Sequence, residues 1–369
     1  MAGYLGPKAI QYNVDNSVVH GDSSVGGDLT VNGNLQVNGT ISPPQYSNPN
    51  LVINGAMQVA QRGTSYSFSS GNSLCTTVDR FKQSYFGTWG NDHSEITQET
   101  DGPDGFSNSL KVKALVAQDY SSALGSWVRY SFENQDITSL QNGSGLKDFT
   151  TSLWLKSNKT GNVSIAVETE GYSYSTYVTI NSANTWEYKT ITFPATTLDV
   201  GIDYTGDPSG TDFNLKVGLG SDGSWLVDTD YQWNDRTTNR GAVSPQQTNF
   251  QAAVNDYLQI TGIKLEVGSV ATSFEHRLYG EELALCQRYY QNIFFSPRAS
   301  SSSGPGSMPS VAFTFMTRMR AAPTGTLDIA SNSGSTPQIG GFHPESGYAV
   351  STVNGTVDWT GTMQLDAEL

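Results

Sequence analysis

Asn162-Val163-Ser164-Ile165-Ala166-Val167-Glu168 puts Val163, Ile165 and Val167 on one side of the chain and Ser164 and Ala166 on the other. Alternation with a period of two is the mark of a β-strand, whose successive side chains point to opposite faces. Outward from this stretch the same texture recurs at 51–53, 109–116, 126–133, 149–156, 175–180, 186–193, 213–219 and 257–266. Clusters such as Asn142-Gly143-Ser144-Gly145 and Asp207-Pro208-Ser209-Gly210 separate the runs. They are turn formers, since Gly accepts positive φ and Asx side chains bond their own backbone. Strands at this spacing predict a β-sandwich, most simply a jelly roll, over residues 45–278. Trp154 and Trp186 fall inside alternating runs and are read as core, while Trp359 is assigned to an exposed tip.

Composition supports a mainly β chain of two or three domains. The 369 residues include 38 Gly and 18 Tyr, and charged residues make up 15% against ~25% in an average domain. The aromatic share of 11% is ample core material and excludes a disordered chain. The net charge of −14 opposes nucleic acid as a partner. No run approaches the ~18 apolar residues of a membrane span, so no membrane insertion is expected. Met1-Ala2-Gly3-Tyr4-Leu5-Gly6 lacks the basic and apolar regions of a signal peptide, which predicts assembly in a cytosol. Cys75 and Cys286 make no disulfide framework and are read as buried thiols.

Before the sandwich a second periodicity appears. Gly21, Gly27, Gly33 and Gly39 recur every six residues, with Val25, Val31 and Val37 at the same step and Leu29, Leu35 and Ile41 completing the alternation. One such ribbon cannot bury its apolar edge. Three copies wound together bury the valines on a shared axis, so residues 21–44 are read as a trimeric β-stalk in a homotrimer. Residues 1–20 carry sparse apolar positions, Tyr4, Leu5, Ile10 and Tyr12, and are read as an anchoring segment that orders on a partner. Pro43 and Pro44 close the stalk. Near the other end, Glu281 and Glu282 followed by Leu283-Ala284-Leu285-Cys286-Gln287-Arg288 predict a connecting helix within 279–291, with its acidic start suited to the helix dipole. Residues 292–369 resume short strands and predict a small C-terminal β domain.

Chemistry is sparser. Trp225, Tyr231 and Trp233 lie in a polar stretch with Asp230 and Asn234. Flat rings beside carboxylates and amides suit the C–H faces and hydroxyls of a sugar; the competing reading is rings that plug the sandwich or a subunit interface. Tyr172, Tyr174 and Tyr177 form a second aromatic candidate, two of them on one face by alternation, with packing between chains as the alternative. Asp199, Asp203, Asp207 and Asp212 carry oxygen ligands of the kind calcium takes, but their spacing matches no calcium loop and fits turn formation as well. The histidines are scattered, so no metal site and no cofactor is assigned. Glu168 and Glu170 are the one carboxylate pair that invites a hydrolase, and a solvated strand face accounts for them equally. No nucleophile elbow, zinc motif or phosphate loop occurs, so the chain is read as non-enzymatic.

Three segments carry a family signature. They are Asn50-Leu51-Val52-Ile53-Asn54-Gly55 with Gln61-Arg62-Gly63-Thr64 and Asp79-Arg80-Phe81; Ile260 through Arg277; and Tyr279 through Tyr290. Together they resemble bacteriophage tail-fibre and related virion fibre proteins, as does the ending Leu365-Asp366-Ala367-Glu368-Leu369. The resemblance implies a jelly roll similar to carbohydrate-binding modules, within a homotrimeric fibre exposed on a virion. It further implies attachment to a phage tail or capsid adaptor protein through residues 1–20, and recognition of a host-surface glycan or envelope receptor. A capsid decoration or head fibre without a receptor role, and a polysaccharide depolymerase, are the alternatives. The region 199–256 departs from the pattern as an insertion. The signature also has a structural reading: 51–53 pairs near Ile260, Ile263 and Leu265, with Arg62–Asp79 or Arg80–Glu266 as ion pairs at the closure.

Overall fold

A computed structural model describes residues 49–68, 75–86, 93–120, 125–221, 223, 226–236, 243–296, 298–300, 310–333, 337–350 and 356–368. The anchor and stalk residues, Tyr4 through Ile41, lie outside this set, as does Trp225.

The architecture is mainly β, as the alternation predicts. Sheet I has the order β1 (Ser65–Ser67), β3 (Ser94–Glu99), β4 (Ser109–Ala114), β14 (Tyr257–Val267), β8 (Phe149–Ser157), β11 (Glu187–Phe193). Sheet II has the order β13 (Trp233–Asp235), β10 (Tyr172–Ile180), β9 (Gly161–Glu168), β12 (Phe213–Ser221), β5 (Gly125–Phe132), β2 (Phe81–Phe86). Neighbours within each sheet pair antiparallel. The chain crosses repeatedly from one sheet to the other, so most neighbours come from distant parts of the sequence. A short hairpin, β6 (Gln141–Asn142) with β7 (Gly145–Leu146), follows a 3-10 turn at Asn134–Leu140 that the sequence pattern does not reveal.

Val163, Ile165 and Val167 enter the shared core with Phe132, Phe149, Phe193 and Phe213. The rings interlock, Phe149 stacking on Phe193 at 4.8 Å and Phe132 meeting Phe213 edge-on at 5.4 Å. Each such side chain contributes about 1.5–3 kcal/mol by leaving water. Ser164 and Ala166, on the outer face of β9, are buried as well. Ser164 lies under residues 244–247: the Ser244 amide donates to Ser164 Oγ (2.9 Å), and Gln247 Oε1 accepts from the Ser164 amide (2.6 Å).

Trp154 and Trp186 are not core. Leu153 and Leu155 take the inward positions of β8, and Ile191 and Phe193 those of β11. Parity therefore sends Trp154, Trp186 and Tyr188 to the outer face of sheet I, where Trp154 and Tyr188 meet at 5.3 Å. Trp359, expected at an exposed tip, is fully buried.

Residues 51–53 form a turn-like segment rather than a ladder strand, yet the expected pairing is present. The Leu51 amide donates to Leu265 O and the Ile263 amide to Gly55 O, both at 3.0 Å. A Cβ at Gly55 would collide with that Ile263 carbonyl, which explains the glycine. Arg62 pairs with Asp79 at 3.5 Å. Arg80 does not pair with Glu266; it reaches Glu368, while Glu266 is held by Lys264 and Thr272.

Helix α1 (Tyr279–Gln287) ends before the expected limit. Its N-terminal Leu278 amide is capped by the Glu281 carboxylate at 3.4 Å. The chain then turns into β15 (Tyr290–Phe295), because pairing with β21 (Thr356–Asp366) gives its backbone a ladder and buries Tyr290 and Gln291. Strands β16 (Arg298–Ser300) and β18 (Thr324–Ser333) also pair with β21, and β17 (Ser310–Thr314), β20 (Ser346–Val350) and β19 (Gln338–His343) form a separate sheet. Met319, Met363, Leu365 and Ala367 make a small core there.

The signature segments meet at the joint between these strands and the sandwich. The Arg80 guanidinium sits 3.5 Å from the Tyr289 ring centre and 4.9 Å from that of Tyr130. Glu133 accepts both arms of Arg288, at 2.8 and 2.7 Å, and the Tyr289 hydroxyl at 2.6 Å. The Asn54 amide donates to Glu282, which also receives Arg277.

Candidate functional site

Along one edge the two sheets part. In sheet I the edge strand is β11; in sheet II the three-residue β13 covers only Tyr172–Tyr174 of β10, leaving Thr176 onward as an uncovered edge. Between them lies a cleft of about 210 Å³. Tyr174 and Val178 line its inner side. Thr176, Tyr177, Thr190, Ile191, Thr192 and Tyr231 complete the lining. The volume is below the ~300–1,000 Å³ of sites for drug-sized ligands, so the cleft matches one small ring rather than an extended chain.

The sequence candidates separate into wall and scaffold. Tyr231 is 59% exposed and meets Tyr177 edge-on at 5.9 Å. The Tyr231 hydroxyl bonding to Tyr177 raises the phenol pKa of Tyr177. Tyr231 holds a left-handed backbone, φ 64°, which costs a bulky residue energy and persists only where neighbours enforce it. Its amide donates to Ser175 O at 2.9 Å, which pins it over β10.

Tyr174, Trp233 and Asn234 hold that wall from behind. Tyr174 is buried, edge-on to Trp233 (5.4 Å) and Phe193 (5.5 Å). Trp233 directly opposes Tyr174 in the ladder and donates its indole N–H to Pro194 O at 3.2 Å. Asn234 is buried, and its amide donates to Thr229 O and Gln232 O, both at 2.9 Å, closing the loop that carries Tyr231. Asp230 accepts from Ser244 Oγ at 2.6 Å, while its other oxygen is buried without a donor. Burial pushes the Asp230 carboxyl up, against that hydrogen bond. Tyr172 packs half-buried on the core and opposes Asp235. Thus Tyr231 and Tyr174 reach the cleft directly, and Trp233, Asn234, Asp230 and Tyr172 are support. Tyr177, the third member of the aromatic patch with Tyr172 and Tyr174, also lines the cleft, whereas its three threonines are missed by a search for aromatic patches. The one signal for them is the run of β-branched hydroxyl residues on β10 and β11.

The other candidates resolve differently. The Asp203 carboxylate accepts from the Thr205 and Gly206 amides, Asp199 from the Gly201 amide, and Asp212 from Asn134 and the Asp203 amide. Asp207 accepts from the Ser209 hydroxyl. They serve their own turns, and no cluster of three metal-ligating side chains occurs among the described residues. Glu168 is not on a solvated face: it is buried and paired with Lys216 and Arg236, which hold its carboxyl low against burial. Glu170 lies beyond the end of β9, exposed, so the two carboxylates do not share a groove.

A second cleft, of about 260 Å³, lies at the joint beside Arg62, Cys75, Tyr290 and Asp366. Arg62 is already paired with Asp79, Asp366 and Glu368. Burial pushes the half-buried Cys75 thiol up to about 12, so it is a poor nucleophile.

No family model matches this chain, and no curated protein matches it. Several solved structures resemble it in outline. A carbohydrate-binding module solved with β-1,4-galactotriose is 8% identical with a TM-score of 0.30, covering 60% of this chain and 99% of its own. The xylan-binding domain from Paenibacillus barcinonensis is 10% identical with a TM-score of 0.26, covering 61% of this chain and 98% of its own. A family 30 carbohydrate-binding module is 11% identical with a TM-score of 0.27, covering 62% and 97%. Identities and TM-scores at this level say nothing of a ligand, so the site stands on its own residues.

Proposed function

We propose that this chain is a virion fibre of the bacteriophage tail-fibre type, a homotrimer anchored through residues 1–20, whose sandwich binds a sugar of the host surface. The observation that carries the binding is the Tyr177–Tyr231 pair standing over a hydroxyl-lined cleft, with Tyr231 in a left-handed conformation. The rings offer π-faces to the C–H face of one pyranose; Thr176 and Thr190 offer hydroxyls that donate to or accept from its own, while the Thr192 hydroxyl is held by Ser269 O and Thr150. A shallow site of this size binds weakly alone. Three copies per fibre, and several fibres per particle, raise the effective affinity by ~10²–10⁴ without any new contact.

The fibre assignment is supported by the signature segments and by the glycine hexads, whose valines need two sister chains. Light scattering of the purified chain tests it: a trimer is expected, and Val31→Asp with Val37→Asp should disassemble it. Tyr231→Ala tests the site. Loss of binding on an array of host envelope glycans, with an unchanged trimer, is the expected result; undiminished binding would place the receptor site elsewhere. Incubation with host polysaccharide separates binding from depolymerisation, since shortened chains would make the protein an enzyme.

A further inference from the structure

The outer face of sheet II carries a row of cations. Lys82 on β2 directly opposes Arg129 on β5, and Arg129 directly opposes Lys216 on β12. Side chains in that relation stand about 5 Å apart at Cβ on the same face, and like charges so placed destabilise a sheet. Glu168 pairs with Lys216 and with Arg236, and the Glu368 and Asp366 carboxylates act on Lys82 from farther off. Among the described residues Lys82 and Arg129 have no ion pair, and the Nε of Arg129 is buried without an acceptor. Lys216 is fixed in turn by the Trp127 ring, 4.5 Å from its Nζ. All this occurs in a chain with only 20 basic residues and a net charge of −14.

We infer that Lys82 and Arg129, beside the Lys216–Glu168 pair, form a binding site for an oxyanion carried by an acidic saccharide, a uronate carboxylate or a sugar phosphate. Arg129 supplies the planar fork that matches two oxygens of such a group, and Lys82 supplies a point charge beside it. The half-buried position strengthens both interactions relative to water. Burial lowers the pKa of Lys82, Arg129 and Lys216 against the pull of Glu368 on the first and Glu168 on the other two, and Arg129 lowers its two lysine neighbours further, so a bound anion would offset part of the cost of holding these charges together. The inference deepens the glycan reading by giving the saccharide a charge, and it rests on that reading only for the sugar; the oxyanion site stands by itself.

Titration calorimetry of the full chain with a galacturonate oligosaccharide, its methyl ester and inorganic phosphate tests this. The free acid should bind at least tenfold tighter than the ester, weaken with added salt, and be displaced by phosphate. Arg129→Gln and Lys82→Gln should each abolish that preference while leaving binding of the ester unchanged. Tyr231→Ala should instead weaken acid and ester alike. If the tyrosine variant binds normally but the preference for the acid persists, the cleft reading fails and the oxyanion site survives. If acid and ester bind equally, or Arg129→Gln keeps the preference, the oxyanion site is wrong. Melting curves with and without phosphate give a second readout, since an anion bound only by the folded chain raises the midpoint. No rise in the parent protein would also overturn the site.

Discussion

The joint beneath the C-terminal strands and the cleft at the open edge of the sandwich are both built around tyrosines, but they use them in opposite ways. At the joint every polar atom of Tyr289 is engaged: its hydroxyl donates to Glu133 and its ring faces the Arg80 guanidinium. At the cleft Tyr231 keeps its ring mostly in solvent and its backbone in a costly region. The family signature marks the first place and is silent about the second. Residues that a fold must have to close are those most readily spelled out; residues that meet a partner are left open by the fold.

Breaking the joint should cost the most. Arg80→Ala leaves the buried Glu368 carboxylate with Arg62 alone and empties the space between the Tyr130 and Tyr289 rings, and about 3 kcal/mol of stability should disappear in denaturant unfolding. Glu133→Gln retains the shape but loses the charged acceptor for Arg288 and Tyr289, so about 2 kcal/mol is expected by the same measurement. The third test is a slope. Burial raises the Asp79 carboxyl to about 7 from an ordinary 3.8, against the pull of Arg62 and Gln61. A folded-state value above the unfolded one means the native chain holds more protons, so this residue's contribution falls as pH rises from about 4 to 7 and is flat above. Asp79→Asn should flatten that segment of the stability curve; an unaltered slope would show that Arg62 keeps Asp79 ionised. The smallest effect on stability belongs to the cleft. Tyr231→Gly frees the left-handed backbone, and stability should stay within about 1 kcal/mol of the parent, or rise, while sugar binding falls. A large loss of stability would make Tyr231 a structural residue and erase the contrast.

The sandwich was legible wherever alternation was clean. Val163, Ile165 and Val167 point inward as read, and the strands at 109–116, 149–156 and 257–266 need only small changes at their ends. Strands β2 and β3 escaped notice because Phe81–Phe86 mixes polar and apolar side chains on both faces and Ser94–Glu99 carries a single apolar residue, Ile96. The tryptophans misled for a different reason. Size suggested core, but Leu153 and Leu155 had already claimed the inward parity of β8. At the site, Tyr231, Tyr174 and Tyr177 could be named, while the threonines depend on two edges, β10 and β11, meeting across a gap that no local pattern encodes. The cation row was equally hidden, since Lys82, Arg129 and Lys216 are neighbours only through register.

Arg80 and Glu368 lie 288 positions apart in the chain. At ~5–20 residues added per second, a ribosome needs roughly 15–60 s to supply the acid after the base has emerged. Throughout that interval the nascent sandwich holds a positive charge with nowhere dry to go, so its floor must stay loose and hydrated. The segment that brings Glu368 therefore works as a latch: the joint hardens only after the strands of the sandwich have been made.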